Sequence, residues 1–410
     1  MGKNDKTLKW TKWLSMPIAM LILIGFVRIT TQQTDRYKGA DSDGRQYVTM
    51  AGDTAMFGKA FARFAPFCFR VATPWIAKQL PGANVIEKFR ILALIDAALI
   101  LLLVVGLLFE LKFSHWDALL GMTLYGTVFW ALKFTFLSPC YIDHQTQVVS
   151  LLILFVMAKG WWPLLPLLVF GGYFQKETVV SLVPIYMVYY LQTKGWRWWP
   201  LYVLGFFSLA ASIIPYFILK NNVHPLNVEI GTPMYAISES WNIVATTPGY
   251  PRILIVAIFS GLGLLPLIIL SNFSWSTRYL RTNLHWGFMV AIGIFLLFGG
   301  KDKSRLFLHM LPAITILALG AIRDIRARLS KVDFIVWLAI TTLLHVFMGN
   351  LLAAFSNFHD YLNRMVPEHS GTQGGQGFTR VALLTTLFFI ANYVLQNRSR
   401  AKTNRESTTY

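Results

Sequence analysis

The sequence predicts an all-α fold: a polytopic transmembrane helical bundle of roughly 10–13 spans, with short interfacial helices in its first outer loop. Three observations carry this reading. Of 410 residues, 55% are hydrophobic and only 14% are charged, where a soluble domain carries about 25% charged residues. Mean hydropathy is positive. Long apolar runs recur from residue 13 to near the C-terminus, so lipid rather than one globular core must cover them.

The elements follow in order. Residues 1–12 hold the basic stretch "KNDKTLKWTK". The apolar "LSMPIAMLILIGFV" after it has no small-residue cleavage site, so it reads as a retained first span at 13–29. Further runs mark spans near 91–110, 117–136, 147–158, 161–173, 178–193, 199–219, 251–271, 285–299, 305–322, 332–353 and 379–396. The pair at 147–173 is short and interrupted by Gly160, Pro163 and Pro166, which allows one span or two short helices. Charge decides between them. With two crossings there, "QTKGWRWW", "RDIRARLSK" and "RSRAKTNR" all fall on the side of the N-terminus, as the positive-inside rule requires. About twelve crossings follow, with 13–396 as the membrane domain and both termini cytoplasmic in a bacterial inner membrane. Residues 397–410 read as a disordered cytoplasmic tail.

The net charge of +18 does not point to nucleic acid, because the basic residues sit in short clusters between spans, where they attract anionic membrane lipids. Cys68 and Cys140 are too few for a disulfide framework or a thiolate cage. Both fall on the outer side, so a bridge between them stays open.

The outer loops, near 30–90, 137–146, 174–177, 220–250, 300–304 and 354–378, hold "DSDGRQY", "CYIDHQTQ", "QKE", "NVEIGTPMYAISESWN", "GGKDKSR" and "FHDYLNRMVPEHSGTQGGQG". Acids and other polar groups thus collect on one face of the membrane, which is the main functional clue. The first outer loop also carries aromatics and alanines at helical spacing, interleaved with Lys59, Arg63, Arg70 and Lys78. Such a helix lies in the interface, and Pro66 and Pro74 should divide it into short pieces.

Several residues can carry chemistry, each with a plainer alternative. Asp41, Asp43 and Asp53 can act as a general base on a hydroxyl or share a divalent cation, or they can cap a solvated turn. Lys176–Glu177 is a functional pair or a snorkelling ion pair at a helix start, and Asp302 can cap the span near Arg305. Tyr47 fits a substrate contact or an ordinary interfacial tyrosine. Asp96 lies inside a span and should face the protein, paired with something like Lys133 or neutral. His144, His309 and His345 show no ligand spacing, and no H-E-x-x-H, C-x-x-C or P-loop string occurs. "SGLGLLP" at 260–266 reads as a helix-packing stretch.

"DGRQYVTMA" followed by "APFCFRVATPWIA" resembles a pattern in bacterial multi-span glycosyltransferases of the GT-C type. In these an Asp-Gly-x-x-Tyr stretch follows the first span, and an Arg-x-x-x-Pro stretch precedes the second. The matching positions are Asp43, Gly44 and Tyr47, then Arg70 and Pro74. "YIDHQTQVVSLLILFVMA" looks like the family's outer-loop Asp leading into a span. "YFQKETVVSLVP" is similar to its charged pair at a helix start, and "KDKSRLFLHMLPAI" to its Asp/Arg group before a late span. Arg45 and Gln46 stand where Gln and an aromatic residue are usual, and Lys176 where Arg is.

The resemblance implies a GT-C-like fold and sugar transfer from a polyprenyl-phosphate-linked donor to a hydroxyl of a glycan, lipid or protein acceptor, on the extracytoplasmic face. The residue types suit that chemistry: a lipid-phosphate leaving group needs fixed positive charge aimed at its oxygens. Arg70, Lys176, Arg305 and Lys303, with Lys301, are the expected phosphate-binding cations. Asp43 is the expected general base of a single inverting displacement, and Asp143 its partner or a sugar-hydroxyl ligand. Asp41, Tyr47, Glu177 and Asp302 are expected to position substrate. Metal dependence stays open. The alternatives are a polymerase or ligase of lipid-linked glycans, and a transporter or flippase, though the latter gather polar groups at the bilayer midplane on paired repeats.

Overall fold

The computed structural model describes residues 3–31, 43–52, 65–226, 250–296, 305, 307–349 and 374–408, together with 238, 241, 242, 245 and 246. Every element longer than a turn among them is helical. In chain order these are α1 (Lys3–Thr30), α2 (Gly44–Met50), α3 (Ala72–Gln79), α4 (Val85–Glu110), α5 (His115–Gly126) and α6 (Phe134–Leu137). There follow α7 (Asp143–Lys159), α8 (Leu165–Tyr173), α9 (Leu182–Lys194), α10 (Pro200–Asn222), α11 (Tyr250–Leu262) and α12 (Leu265–Ser271). The last are α13 (Phe273–Thr282), α14 (Leu284–Leu296), α15 (Leu311–Arg328), α16 (Lys331–Gly349) and α17 (Gly374–Thr408).

Among the described residues, five helical segments are long and apolar enough to cross a membrane, or up to seven if each of two bent pairs is one span, and three shorter apolar helices accompany them. Their burial sorts them. The segment through α15 is 83% buried and forms the centre, whereas the one along α17 is 17% buried and offers its apolar face outward. Exposed Phe206, Phe207 and Leu209 on α10 form a similar outward belt, the surface lipid would cover.

Local chemistry sets the ends. Asn84 caps α4 by accepting from the Glu87 amide at 2.9 Å, and Glu87 accepts in return from the Ala83 amide at 3.0 Å. α4 therefore begins at Val85, earlier than the apolar run alone suggests. Ser114 and Asp117 form a reciprocal capping box at the start of α5. α7 has Asp143 in its first turn, Lys159 in its last, and Gly160 closing it in the left-handed region at φ 78°. Pro74 does not interrupt α3. It sits in the first turn, where a missing amide proton costs nothing.

Three expectations change. The run at 117–136 is a helix bent by 64°, with a π-helical turn at Phe129–Lys133 between α5 and α6. "SGLGLLP" is a break rather than a packing stretch. Gly263 adopts φ 59° there, and α11 and α12 meet at 95°. His345 bridges that break: its Nδ1 accepts from the Leu264 amide at 3.0 Å, which obliges Nε2–H to donate to the Leu124 carbonyl at 2.9 Å. Residues 397–408, expected as a disordered tail, continue α17. Arg, Ala, Lys and Glu there are good helix formers, so a helix already nucleated by its apolar part propagates through them.

The bundle has two distinct ends. α4 spans 26 residues, about 39 Å at 1.5 Å per residue. Its N-terminus packs with α2 and α3 around Tyr47, Val48, Ala77 and Phe89. Its C-terminus lies at the other end, where Glu110 pairs with Lys159 at 2.7 Å.

Candidate functional site

The site stands at the α2–α3 end of the bundle. Asp43 precedes α2 without capping it, since its side chain makes no cap hydrogen bond. A Cβ on Gly44 would meet the Cys140 Cβ at 3.2 Å, so the bare backbone is what lets α2 lie against Cys140 and Tyr141. That contact delivers the Asp43 carboxylate to Arg305, whose Nη1 donates to Oδ2 at 3.2 Å. The same Nη1 lies 3.6 Å from Asp143 Oδ2, and the guanidinium rests over the Tyr141 ring. Arg305 thus bridges two aspartates that are 100 residues apart in sequence.

Asp143 opens α7, and its other oxygen accepts from Lys176 Nζ at 2.9 Å. The side chains are 5% and 7% exposed, which makes this a buried ion pair. The geometry requires the chain to leave along α7 and return along α8, so the segment at 147–173 is a hairpin of two short helices and not one span. Glu177 holds Arg70 in a fork, Oε1 to Nη2 at 2.6 Å and Oε2 to Nε at 3.1 Å. Arg70 Nη1 then donates to Tyr47 Oη at 3.3 Å. Backbone and side-chain bonds hold the α3 and α8 ends together. Ala72 N donates to Phe174 O at 3.0 Å, the Thr73 hydroxyl meets Gln145 and Gln175, and Gln175 Nε2 donates to Ile142 O at 2.9 Å.

Of the two readings of Lys176–Glu177, the snorkelling ion pair between the neighbours does not form. The two neighbours turn apart at the start of a short 3-10 helix, one to Asp143 and the other to Arg70. Asp96 is also corrected: its partner is His144 at 2.6 Å and not Lys133, because α4 packs along α7. His144 Nε2 faces the Pro139 carbonyl at 3.0 Å. That pair clamps the first turn of α7 from behind while Asp143 faces the cluster. Cys68 and Cys140 are both buried and are not joined in a disulfide.

The charges hold one another in place. Burial raises the Asp143 carboxyl, but Lys176 and Arg305 outweigh it and keep it well below the usual carboxylate range. Burial likewise opposes ionisation of Glu177, and Arg70 brings it down to about 2. Burial lowers Lys176, Asp143 opposes this, and the two arginines add to the lowering. Arg70 is pushed up despite burial by Glu177 and Tyr47, and burial pushes the Tyr47 phenol up. Both depressed acids stabilise the fold fully above their unfolded values, and that contribution is lost as pH falls through their folded values. The unfolding midpoint, followed by tryptophan fluorescence, should thus be flat down to about pH 4.5 and fall steadily toward about pH 2. A flat profile across that window would remove both ion pairs from the stability of the chain.

Of the residues the sequence singles out, Asp43, Tyr47, Arg70, Asp143, Lys176, Glu177 and Arg305 meet in this one cluster. Asp41, Asp53, Lys301, Asp302 and Lys303 lie outside the described residues. Sequence reasoning missed Thr73, Gln145, Gln175 and the lining of a cavity beneath Asp143, although the polar run "DHQTQ" at an apolar span was a signal. That cavity, formed by Tyr125, Thr146, Gln147, Ser150, Arg305 and His309 beside Asp143, measures about 20 Å³, room for one water. As lined by the described residues, this cavity beside Asp143 is smaller than a sugar. Among them no three His, Cys, Asp or Glu side chains come together to hold a metal ion. Compared with known proteins, the chain matches no family model and no curated protein.

Proposed function

We propose that the chain is a GT-C-like membrane glycosyltransferase that moves a sugar from a polyprenyl-phosphate-linked donor to a hydroxyl acceptor on the extracytoplasmic face. The supporting observation is the convergence of Asp43, Asp143, Lys176 and Arg305, drawn from four separate segments, at one end of an apolar bundle. The acceptor oxygen attacks the anomeric carbon as the bond from that carbon to the phosphate oxygen breaks. The electron pair leaves with the lipid phosphate, and the acceptor proton passes to Asp43. Inversion follows from the single displacement.

The cations then divide their work. Arg70 and Lys176 are anchored by Glu177 and Asp143, which fixes positive charge without reorganisation at the moment of transfer. Arg305 meets its carboxylates at 3.2 and 3.6 Å, longer than the about 2.7–2.9 Å of a strong charged bond. We assign Arg305, which stands between the two aspartates, to the leaving phosphate. Asp143, with both oxygens facing cations, suits holding them better than taking a proton. Tyr47 accepts from Arg70 and keeps its own proton to donate.

The test is transfer of labelled sugar from synthetic polyprenyl-phosphate donors by the purified protein. Asp43→Asn should reduce kcat about 10²–10⁴-fold, the usual worth of a general base, with the unfolding midpoint unchanged. Full activity in a folded Asp43→Asn protein would refute the assignment. The two broken helices give transport or flipping of lipid-linked substrates a structural basis. Solute or lipid movement across proteoliposomes with no donor consumed would favour that reading instead.

A further inference from the structure

The end of the bundle opposite the acidic–basic cluster carries a second hollow, of about 400 Å³, between α13, α15 and the α4–α5 turn. Its walls are of three kinds. Trp275 and Tyr279, successive turns of α13, stack with ring centres 5.0 Å apart and planes 17° from parallel. Leu111 and Phe113 supply an apolar floor, and Arg323 and Asp324 of α15 stand on the remaining side. Gly320 makes the aromatic wall possible, since any Cβ there would fall inside the Trp275 ring.

The cation of this hollow is held firmly. Arg323 Nε and Nη2 meet Asp117 Oδ2 at 2.9 and 2.8 Å, Nη2 reaches the Lys112 carbonyl at 3.4 Å, and the guanidinium lies 4.3 Å from the Phe113 ring centre. Asp324 is engaged by Asn272 at 2.7 Å and by Arg328 at 2.9 Å. The same three elements also carry exposed Lys112, Arg278, Arg281, Arg326 and Arg328, Arg326 lying over the Phe334 ring and Arg328 paired with Asp324. Basic groups therefore outnumber the two acids, Asp117 and Asp324. α13 itself has Phe273 63% exposed beside these cations, the composition of a helix lying in the headgroup layer.

We propose that this hollow binds the headgroup of one anionic phospholipid from the leaflet at this end of the bundle. The phosphate faces Arg323 and the surrounding basic groups. The glycerol backbone lies along Trp275 and Tyr279, an amphipathic aromatic wall of the kind found at headgroup depth. The acyl chains follow the exposed apolar face near Leu270. Charge chooses the occupant: a basic rim attracts an anionic lipid by about 1 kcal/mol per Lys or Arg, and a 400 Å³ hollow is within the about 300–1,000 Å³ range of small-ligand sites. This inference is independent of the chemistry proposed for the other end.

The test measures the unfolding midpoint and the lipid retained in native mass spectra, with phosphatidylglycerol, phosphatidylcholine or inorganic phosphate added to the detergent-purified protein. Phosphatidylglycerol should raise the midpoint by about 2–4 °C in a saturable way and remain as one bound copy. Phosphatidylcholine and inorganic phosphate should do neither. Two variants locate the effect. Ala327 lines the hollow and is exposed, so Ala327→Trp adds bulk without removing charge and should abolish the shift. Arg323→Gln should weaken it. An equal effect of phosphatidylcholine overturns the choice of an anionic lipid. An equal effect of phosphate replaces the lipid by a free anion. A shift that survives Ala327→Trp assigns the binding to diffuse surface charge and ends the proposal.

Discussion

Replacing Asp143 by alanine is expected to cost about 3–5 kcal/mol of stability, the penalty for leaving a buried charge without its partner. Lys176 is the group abandoned, with its side chain only 7% exposed, and Arg305 loses its Asp143 contact at the same time. The pairing, and not the mere presence of charge, is what the substitution removes. The double variant Asp143→Leu/Lys176→Met should therefore recover much of the loss, since a buried ion pair replaced by apolar groups of similar volume is often close to neutral. Denaturant titration of the detergent-purified proteins reads both values. A single variant that loses less than about 1 kcal/mol, the scale of an exposed pair, would mean that water reaches Lys176.

The second large effect concerns Arg305. Arg305→Lys keeps a positive charge but has a shorter side chain and a compact ammonium in place of a planar, delocalised cation, so it falls short of the Nη1 position between Asp43 and Asp143. Under the proposed chemistry kcat for transfer should drop about 10²–10³-fold, the usual loss when a preorganised donor to developing charge is removed. KM for the acceptor should change little, because the loss falls on the departing phosphate. The unfolding midpoint should shift far less than for Asp143→Ala, because Arg305 and Asp43 are about one-fifth exposed, at 21% and 19%. Equal loss of stability in the two variants would make Arg305 a structural strut.

That the polar groups gather at one end of the bundle was legible in the sequence, and so were most members of the cluster. Aspartates and cations beside apolar runs have few places to go, and loop assignment by charge brings Asp43, Asp143, Lys176 and Arg305 to one surface. Who pairs with whom was not legible. Lys176 and Glu177 are neighbours in sequence, yet a 3-10 start sends their side chains to partners on different helices. Asp96 finds His144 because α4 and α7 pack together, a fact of helix packing that no hydropathy profile holds. Apolar runs also hide breaks. The π-helical turn at Phe129–Lys133 and the corner at Gly263 sit inside stretches that read as plain spans. At the C-terminus the reverse holds: a charged composition reads as disorder, whereas helix propensity extends α17 through Thr408.

The hairpin turned by Gly160 sets an order of events during synthesis. Asp143 leaves the ribosome 33 residues before the lysine that neutralises it. Throughout that interval the carboxylate at the leading end of α7 lacks its hydrogen-bonded ammonium, and only α8 brings that group level with it. A chain that ends between the two lacks this pair. Closure of the Asp143–Lys176 contact marks the moment at which this pair of helices has been inserted in its final register.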